Sequence, residues 1–379
     1  NIQPEVAEIW LIVLGAIIFL KAWIETKFSM MDVKGKRNRN AMGEALYRRM
    51  KLNHGPKSVA IGGGTGLSTL LKGIKRLTNN ITAIVTVGDD GGSSGRLREE
   101  MGILPPGDIR NCIAALADDD DIVTKLFQYR FKSGEGLEGH SFGNLFITAM
   151  TSICGDMVSA IKESSKVLLI RGRVLPVTVD DMRLIAKMED GSVVRGESNI
   201  PEAGKRIVDL SSEPLHCKPA KEVIEAIHSA DLIILGPGSL YTSIIPNLLV
   251  SGIAEAVSNS RAAKIYVCNV MTQPGETDNY SVSDHIRALF RHAVKSGANK
   301  KLFDAVLIND SLPENLAKKY EEKDSLPVEE DTGAIRDLGI EIVRAKLIQD
   351  NKDGLVRHDP KKVAKAIYFW FRKKGLKNR

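Results

Sequence analysis

Short apolar segments alternate with helical patterns from residue 58 onwards. Strands are predicted at residues 58–61, 81–87, 166–170, 231–235, 264–268, 304–308 and 340–345, with helices such as 220–228 and 283–294 between them. Strands that are apolar along their whole length are typical of a parallel sheet covered by helices on both faces. We therefore predict an α/β domain over residues 58–379, with a largely parallel sheet and helices on both faces.

One segment departs from this alternation. Residues 171–209 contain alternating valines and an Asp190-Gly191 pair, which favours a tight hairpin turn. We predict a small β-rich insertion over about residues 171–209 of the domain.

An apolar segment precedes the α/β region. Residues 6–24 carry charges only at Glu8 and Lys21, close to the two ends of the segment, and Trp10 and Trp23 are placed where interfacial anchors would lie. This pattern is typical of a membrane-spanning helix. A signal peptide and a helix of the protein core are the alternatives.

These observations define two regions before the domain. We predict a transmembrane segment over residues 1–26 and a basic juxtamembrane linker over residues 27–57. Because the sequence starts at Asn1 rather than at a methionine, a further segment upstream, another membrane span included, stays open.

The excess positive charge lies in the linker region. The chain has a net charge of +6, and residues 21–57 hold ten Lys and Arg against three Asp and Glu, a net charge of +7. Residues 58–379 are left with +1, which argues against a nucleic-acid-binding domain. Lys and Arg after a membrane segment place the domain in the cytoplasm, anchored at the inner membrane. The same basic block is expected to contact an anionic membrane surface.

Two glycine loops are predicted to bind phosphate, one after the first strand and one after the strand at residues 231–235. Their residues are Gly62, Gly63, Gly64, Thr65 and Gly66, and Gly236, Pro237, Gly238 and Ser239. Backbone N–H groups of such loops can approach an anion closely, and the start of the following helix favours negative charge. The first loop is no P-loop, and Leu67 stands where the dinucleotide fingerprint has its last glycine. A tight turn without a ligand is the alternative.

A pair of carboxylates follows the second strand. Asp89 and Asp90 precede Gly91, Gly92 and Ser93. Adjacent carboxylates at a strand end can hold Mg²⁺ or accept hydrogen bonds from a ribose or a base. No cofactor is certain from the sequence, and Mg²⁺ at these two residues is the candidate. An Asx-rich surface turn is the alternative.

Three further groups of polar residues are candidate ligand contacts. They are Asp108, Arg110 and Asn111; His140 and Asn144; and Asn269, Thr272, Gln273, Glu276 and Thr277. Asp108 would either cap its own helix or face a ligand. His140 would share a helix face with Asn144 and act as a general acid or base, or else serve as a capping or core histidine. The last group has amide, hydroxyl and carboxylate groups able to bind a base or a sugar.

Taken in order, seven motifs resemble one known family. They are GGGTGLS, TVGDDGGSSGRLR, PPGDIRNCIAAL, GHSFGNLF, GRVLPVT, LGPGSLYTSIIPNLLV and NVMTQPGETDNYSVSDH. The sequence is similar to the YvcK-like gluconeogenesis factor family, which is related to the CofD-like 2-phospho-L-lactate transferases. The resemblance covers about residues 58–371.

The resemblance implies a cytoplasmic Rossmann-like fold that binds UDP-sugars such as UDP-N-acetylglucosamine. It implies a role in carbon-source-dependent growth and bacterial cell shape, with a homo-oligomer and protein partners in cell-wall synthesis. It also implies that both glycine loops hold phosphates. Asp89 and Asp90 occupy the acidic motif at which, in the transferase relatives, a deazaflavin precursor and a metal meet.

Two functions from different classes follow as expectations. The first is a non-catalytic regulator that binds a nucleotide sugar. The second is a Mg²⁺-dependent transferase that moves a phospho-lactyl-type group from a nucleotide diphosphate donor, with Asp89, Asp90 and His140 in catalytic roles. The regulator is favoured, because no Ser/His/Asp triad or Cys/His pair is recognisable by its spacing in the sequence. An NAD-dependent enzyme is a third alternative, weakened by the incomplete glycine fingerprint.

Overall fold

The computed structural model divides the chain into two units, Asn1–Met50 and Lys51–Arg379, and the second unit contains the α/β domain. The described residues are 50–117, 122–311, 324–349 and 356–377, together with Gly15, Lys21 and Tyr47.

The predicted membrane segment falls almost entirely outside the described residues. Gly15 and Lys21 are helical, but the rest of residues 1–26 and most of the linker at residues 27–57 are not described. Both regions therefore stay predictions. Within the described part of the chain, no single helix is long and apolar enough to cross a membrane, and one pair of helices, Leu240–Leu249 and Ile253–Asn259, passes that criterion only when joined across an 85° bend.

The strands of the described residues form two sheets. They are β1 (Ser58–Gly62), β2 (Ile81–Val85), β3 (Arg173–Pro176), β4 (Arg183–Met188), β5 (Val193–Arg195), β6 (Ile207–Glu213), β7 (Leu232–Leu235), β8 (Ala263–Val267), β9 (Ala305–Asn309) and β10 (Glu341–Ala345). The larger sheet has seven strands in the order β10-β9-β8-β7-β1-β2-β3, and every neighbouring pair in it is parallel. The smaller sheet is antiparallel, with the order β5-β4-β6.

Helices connect and flank the strands. They are α1 (Gly64–Ile74), α2 (Gly92–Met101), α3 (Gly107–Leu116), α4 (Ile122–Gln128), α5 (Phe142–Cys154), α6 (Met157–Val167), α7 (Asn199–Glu202), α8 (Lys221–His228), α9 (Ile245–Leu249), α10 (Ile253–Asn259), α11 (Val282–Lys295), α12 (Thr332–Asp337) and α13 (Pro360–Lys377). A π-helical turn, Leu240–Ile244, leads directly into α9. The expected α/β fold with a large parallel sheet is thus confirmed.

The apolar sequence of the central strands accounts for their position. Every residue of β1, β2 and β7 is buried, which requires cover on both faces of the sheet. The outermost strand, β10, has no buried residue, in keeping with an edge position. The chain fills one side of β1 first, with β2 and β3, and then crosses to the other side with β7 to β10. The strand order therefore reverses between β1 and β7.

The strand predicted at residues 166–170 is wrong. Helix α6 continues to Val167, and Val167 and Leu169 are 55% and 81% exposed. The segment is as apolar as a buried strand, but of Val167, Leu168 and Leu169 only Leu168 is buried. The strand of the main sheet is β3, which begins a few residues later and pairs with β2.

The predicted insertion exists with shifted limits. Its hairpin turns at Asp190 and Gly191, as expected, between β4 and β5. The small sheet runs from β4 to the end of β6 at Glu213, whereas β3, inside the predicted range 171–209, belongs to the main sheet. The insertion packs on the domain partly through His292 of α11, whose Nε2 accepts a hydrogen bond from the backbone N–H of Leu210 at 3.1 Å.

Helix α1 contacts α13 through a glycine. A Cβ atom on Gly73 would lie 1.9 Å from the carbonyl oxygen of Pro360, so the backbones of the two helices touch at this point. Any side chain here would push the helices apart. The contact fixes α13 against the helix that follows the first glycine loop.

We expect Gly73→Ala to lower the free energy of unfolding by about 1–3 kcal/mol, because the added methyl overpacks the α1–α13 contact. Gly375→Ala is the matched control, since a Cβ there meets open space within α13. Removing a helical glycine at an open position should raise stability by about 0.5–1 kcal/mol. Urea denaturation of both variants measures this, and equal effects would contradict the proposed packing.

Candidate functional site

A cleft of about 1050 Å³ opens at the carboxyl ends of the central strands. It lies at the reversal of strand order between β1 and β7, where ligands of open α/β sheets bind. Loops after β1, β2, β7 and β8 all contribute to its walls. This is the edge on which the sequence placed its glycine and polar loops.

The structure brings many of the predicted site residues to this cleft. Those that line it are Gly63, Gly64, Thr65, Gly66, Asp89, Asp108, Pro237, Gly238, Ser239, Asn269, Thr272, Gln273 and Glu276. Other predicted residues lie outside the lining: Gly62, Asp90, Gly91, Gly92, Ser93, Arg110, Asn111, His140, Asn144, Gly236 and Thr277. The two glycine loops thus share one cleft. The predicted residues at the start of α2, Arg110 and Asn111 of α3, and the two residues at the start of α5 do not line it.

The two glycine loops contact each other through their backbones. A Cβ atom on Gly66 would lie 2.4 Å from the carbonyl oxygen of Pro237, so only glycine permits this approach. The start of α1 has no side-chain cap from its own N-cap residue, Gly63. Asp108, from α3, accepts the backbone N–H of Gly64 instead, so this carboxylate offsets part of the positive charge at the helix start.

Amide side chains from the loop after β8 hold the second glycine loop in place. Asn269 donates from Nδ2 to the carbonyl oxygen of Gly238 at 3.0 Å, and Gln273 donates from Nε2 to Oγ of Ser239 at 2.7 Å. Thr277, outside the cleft, accepts the backbone N–H of Gln273 at 2.9 Å. These residues fix the loop geometry whether or not they also touch a ligand.

The adjacent carboxylates after β2 point to different places. Asp89 lines the cleft and accepts the backbone N–H of Gly91 at 3.0 Å. Asp90 accepts the backbone N–H of Ser198, in the insertion, at 2.9 Å. The pair therefore does not form one two-carboxylate site, and a metal there would meet only Asp89 of the two. Within the described residues, no group of three or more His, Cys, Asp or Glu side chains is arranged to hold a metal ion.

Asp108 lies in α3 but caps the start of α1. It lies in the first turn of α3, whose N-cap is Pro106, and its Oδ2 accepts the backbone N–H of Gly64 at 2.7 Å. The N-cap alternative is thus wrong for α3. Burial and, second, the nearby Asp89 raise the pKa of Asp108 to about 6, although the bond from Gly64 opposes the shift.

Two glutamates add further negative charge to the cleft. Burial raises the pKa of Glu276 to about 7, while hydrogen bonds from Thr242 Oγ1 at 3.0 Å and from the backbone N–H of Tyr241 lower it. Desolvation, with Asp89 and other nearby carboxylates, raises the pKa of Glu197 well above its usual value. The Glu197 Oε2 is enclosed and has no hydrogen-bond partner among the described residues.

His140 belongs to a buried hydrogen-bonded cluster beside the cleft. Its Nδ1 lies 2.9 Å from Oγ of Ser93, which also accepts from Nδ2 of Asn144 at 3.0 Å. Helix α5 begins after His140, so the expected shared helix face is replaced by a shared contact to Ser93. Burial and the charge of Arg96 lower the pKa of His140, which keeps the ring neutral near pH 7.

Arg110 and Asn111 also contact each other rather than the cleft. Arg110 donates from Nη2 to Oδ1 of Asn111 at 2.8 Å. The Nε of Arg110 is buried and has no partner among the described residues.

Further residues line the cleft beyond those predicted from the sequence. They are Ser68, Thr69, Lys72, Glu197, Ser198, Pro201, Thr242, Ser243, Val270, Met271, Pro274, Ser325, Val356, Arg357 and His358. One signal was available for α1, because Thr65, Ser68, Thr69 and Lys72 recur at helical spacing opposite its apolar residues. Glu197 and Arg357 carry no such pattern, since each reaches the cleft only through tertiary folding.

Comparison with known proteins adds to this geometry. The sequence profile of the CofD family, described as 2-phospho-L-lactate transferase CofD, matches residues 59–348. A gluconeogenesis factor from Bacillus subtilis (strain 168) is 50% identical over 313 residues, which cover 82% of this chain and 97% of that protein. A relative from Nostoc sp. (strain PCC 7120) is 51% identical over 374 residues, which cover 98% of this chain and 81% of that protein. The crystal structure of a Bacillus halodurans protein is similar with a TM-score of 0.79 at 47% identity, and the match covers 83% of this chain and 99% of that one.

The raised pKa of Glu276 predicts a pH-dependent stability. Between pH 4.5, its ordinary pKa, and about 7, the folded protein holds this proton more tightly than the unfolded chain. The free energy of unfolding should therefore fall as pH rises through this range. Glu276→Gln cannot ionise, so its stability relative to the native sequence should rise from pH 4.5 to 7.5, by at most about 3 kcal/mol. Urea denaturation at several pH values checks this, and a difference that is constant with pH would contradict it.

Proposed function

The chain belongs to the CofD family, and we propose that its cleft binds the diphosphate of a nucleotide-linked ligand of the UDP-sugar class, such as UDP-N-acetylglucosamine. One observation carries the proposal: glycine loops from the neighbouring strands β1 and β7 face the same cleft. Loops of this kind present backbone N–H groups to phosphate oxygens. Two such loops side by side suit a diphosphate better than a single phosphate.

Two cationic side chains support an anionic ligand. Lys72 lies on α1, on the side that carries Thr65, and lines the cleft. Arg357 lines it as well and is exposed to solvent. Their charges would offset the phosphates where the carboxylates of Asp89 and Asp108 oppose them.

The remaining walls suit the polar groups of a nucleoside or a sugar. Hydroxyl groups of a ribose or hexose can donate to carboxylates such as those of Glu197 and Glu276. The cleft volume of about 1050 Å³ exceeds what a free phosphate needs and falls at the upper end of the usual range for ligand sites.

We further propose that the ligand-bound protein acts as a regulator of gluconeogenic growth rather than as an enzyme. The support is the name gluconeogenesis factor carried by the Bacillus subtilis relative, and the position of His140 in a hydrogen-bonded cluster that does not line the cleft. By the family resemblance, the proposal extends to cell shape through protein partners in cell-wall synthesis.

Calorimetry of the full chain in mild detergent tests ligand binding. UDP-N-acetylglucosamine should give saturable heat, and Lys72→Ala and Arg357→Ala should each weaken its affinity by about 10- to 100-fold, the value of a charge-assisted hydrogen bond. Lys187→Ala, an exposed lysine of β4 outside the cleft, is the matched control and should bind as the native chain does. Absence of binding at millimolar ligand, or equal affinity of all variants, would sink the proposal.

The second candidate function is a Mg²⁺-dependent transferase, and the carboxylates of the cleft favour it. After burial, the charge of Asp89 is the next cause that raises the pKa of Asp108, and Asp89 and Asp108 both raise the pKa of Glu197, whose Oε2 lacks a partner among the described residues. Oxygen donors are what Mg²⁺ prefers, and this ion is commonly held by one or two carboxylates together with the phosphates of a substrate. The residues thus fit Mg²⁺ at Asp89, with Glu197 as the next donor.

In that function, a bound Mg²⁺ would neutralise charge on the phosphates. The residues of the chain would do the rest: the glycine loops would orient the donor, and Asp89 would hold the ion.

Asp89→Asn should then abolish any Mg²⁺-dependent turnover of a nucleotide diphosphate donor. Asp156→Asn serves as the control, because Asp156 caps α6 at an exposed position, where it accepts the backbone N–H of Ser159. Turnover is followed by release of the nucleotide. Activity that survives in Asp89→Asn would exclude this residue from the reaction.

A further inference from the structure

The nearly neutral charge of the domain hides an uneven distribution. Residues 360–379 contain eight Lys and Arg and no Asp or Glu, so that residues 58–359 carry a net charge of −7. Most of this second positive block lies on helix α13. The excess positive charge of the chain therefore sits in two places, and not only in the linker before the domain.

The cations of α13 form an exposed stripe with an aromatic residue in its middle. Lys361, Lys365, Phe369, Arg372 and Lys373 are all exposed, and their spacing places them on one side of the helix. Phe369 is 73% exposed, which is unusual for so large an apolar side chain. In the described part of the chain, none of the four cations makes an ion pair with an acidic side chain.

The opposite side of α13 anchors the helix on the domain. Val363, Ile367 and Trp370 are buried, and Trp370 donates from Nε1 to Oε2 of Glu341 at 3.1 Å. Lys374 pairs with Asp304. The acidic groups that α13 meets are thus used on its inner side, and the stripe is held facing solvent.

We propose that this stripe, Lys361, Lys365, Phe369, Arg372 and Lys373, contacts an anionic phospholipid surface. Lys and Arg beside such a surface each contribute attraction that weakens with salt. An exposed aromatic side chain gains by entering the interfacial region of a bilayer. The stripe offers both, on a helix that the protein holds rigidly.

Two observations favour lipid over nucleic acid as the partner. The stripe carries one exposed aromatic side chain rather than a row of them on which successive bases could stack. The apolar segment at residues 6–24, a predicted membrane span, would also keep the domain within reach of a bilayer. The inference does not depend on what the cleft binds.

An environment-sensitive fluorophore at position 369 tests the contact. The full chain with Cys154→Ser and Phe369→Cys is labelled, since the remaining Cys112, Cys217 and Cys268 are buried. The labelled chain is reconstituted into vesicles of phosphatidylcholine, with or without phosphatidylglycerol. Emission should shift to the blue, and a quencher placed in the lipid should act on it, only when phosphatidylglycerol is present and salt is low.

Charge variants test the electrostatic part. Neutralising the four cations of the stripe to Gln should weaken the contact by about fivefold for each charge. The matched control removes four exposed lysines elsewhere: Lys132, Lys162, Lys187 and Lys221. It should leave the emission shift unchanged. A label at Val294, 66% exposed on α11, introduced by Val294→Cys in the same background, should stay in water throughout.

Three outcomes would overturn the proposal. The first is an emission at position 369 that does not change with phosphatidylglycerol. The second is an equal loss of the shift in the stripe variant and in its control. The third is a shift produced by a DNA duplex in the absence of lipid and not by anionic vesicles, which would assign the stripe to nucleic acid.

Discussion

The cleft depends on one backbone contact between two loops. Gly66 at the start of α1 meets the carbonyl of Pro237 after β7 at a distance that leaves no room for a Cβ atom. Because β1 and β7 are neighbours in the sheet, this contact places two glycine loops side by side at the point where the strand order reverses. A larger residue at this position would separate the loops and divide the cleft into two half-sites.

The buried carboxylates and the glycine loops of the cleft have opposite effects on an anionic ligand. Loss of water raises the pKa values of Asp108, Glu197 and Glu276, because the charged form of each is poorly solvated there. The loops favour an anion, whereas these groups repel it when ionised. A ligand that combines phosphates with hydroxyl groups satisfies both, since the hydroxyls can donate to the carboxylates. This balance is the physical reason for preferring a nucleotide sugar to free phosphate.

Local patterns in the sequence were enough for the fold and for the position of the cleft. Uniformly apolar strands predicted the parallel sheet, and the glycine loops predicted the edge on which a cleft lies. The predictions that were wrong concern features that depend on tertiary contacts. The run at residues 166–170 is as apolar as a strand, but it ends a helix. Nothing local distinguishes Asp89, which faces the cleft, from Asp90, which turns to Ser198 in the insertion.

The hydrogen-bond partner of Asp108 and the distribution of charge over the domain also could not be predicted from local sequence patterns. A helix-capping residue normally serves its own helix, and Asp108 instead accepts from Gly64, 44 residues earlier in the chain. The total charge of residues 58–379 is only +1, because a sum over a folded domain cannot show that one helix, α13, holds seven Lys and Arg and no acidic residue. Charge has to be counted for each surface once the fold is known.

Helix α1 is fixed at both ends by contacts that admit only glycine. Its first turn lies on Pro237 through Gly66, and its last turn lies on Pro360 through Gly73. A helix held in this way cannot slide or tilt far without losing one of the two contacts, because packed interiors leave little free space. The first glycine loop is therefore preorganised, and a ligand that binds it has little backbone to order. Discrimination between ligands must then come from the groups that line the cleft, above all from Lys72, Arg357 and the buried carboxylates, rather than from movement of the loop itself.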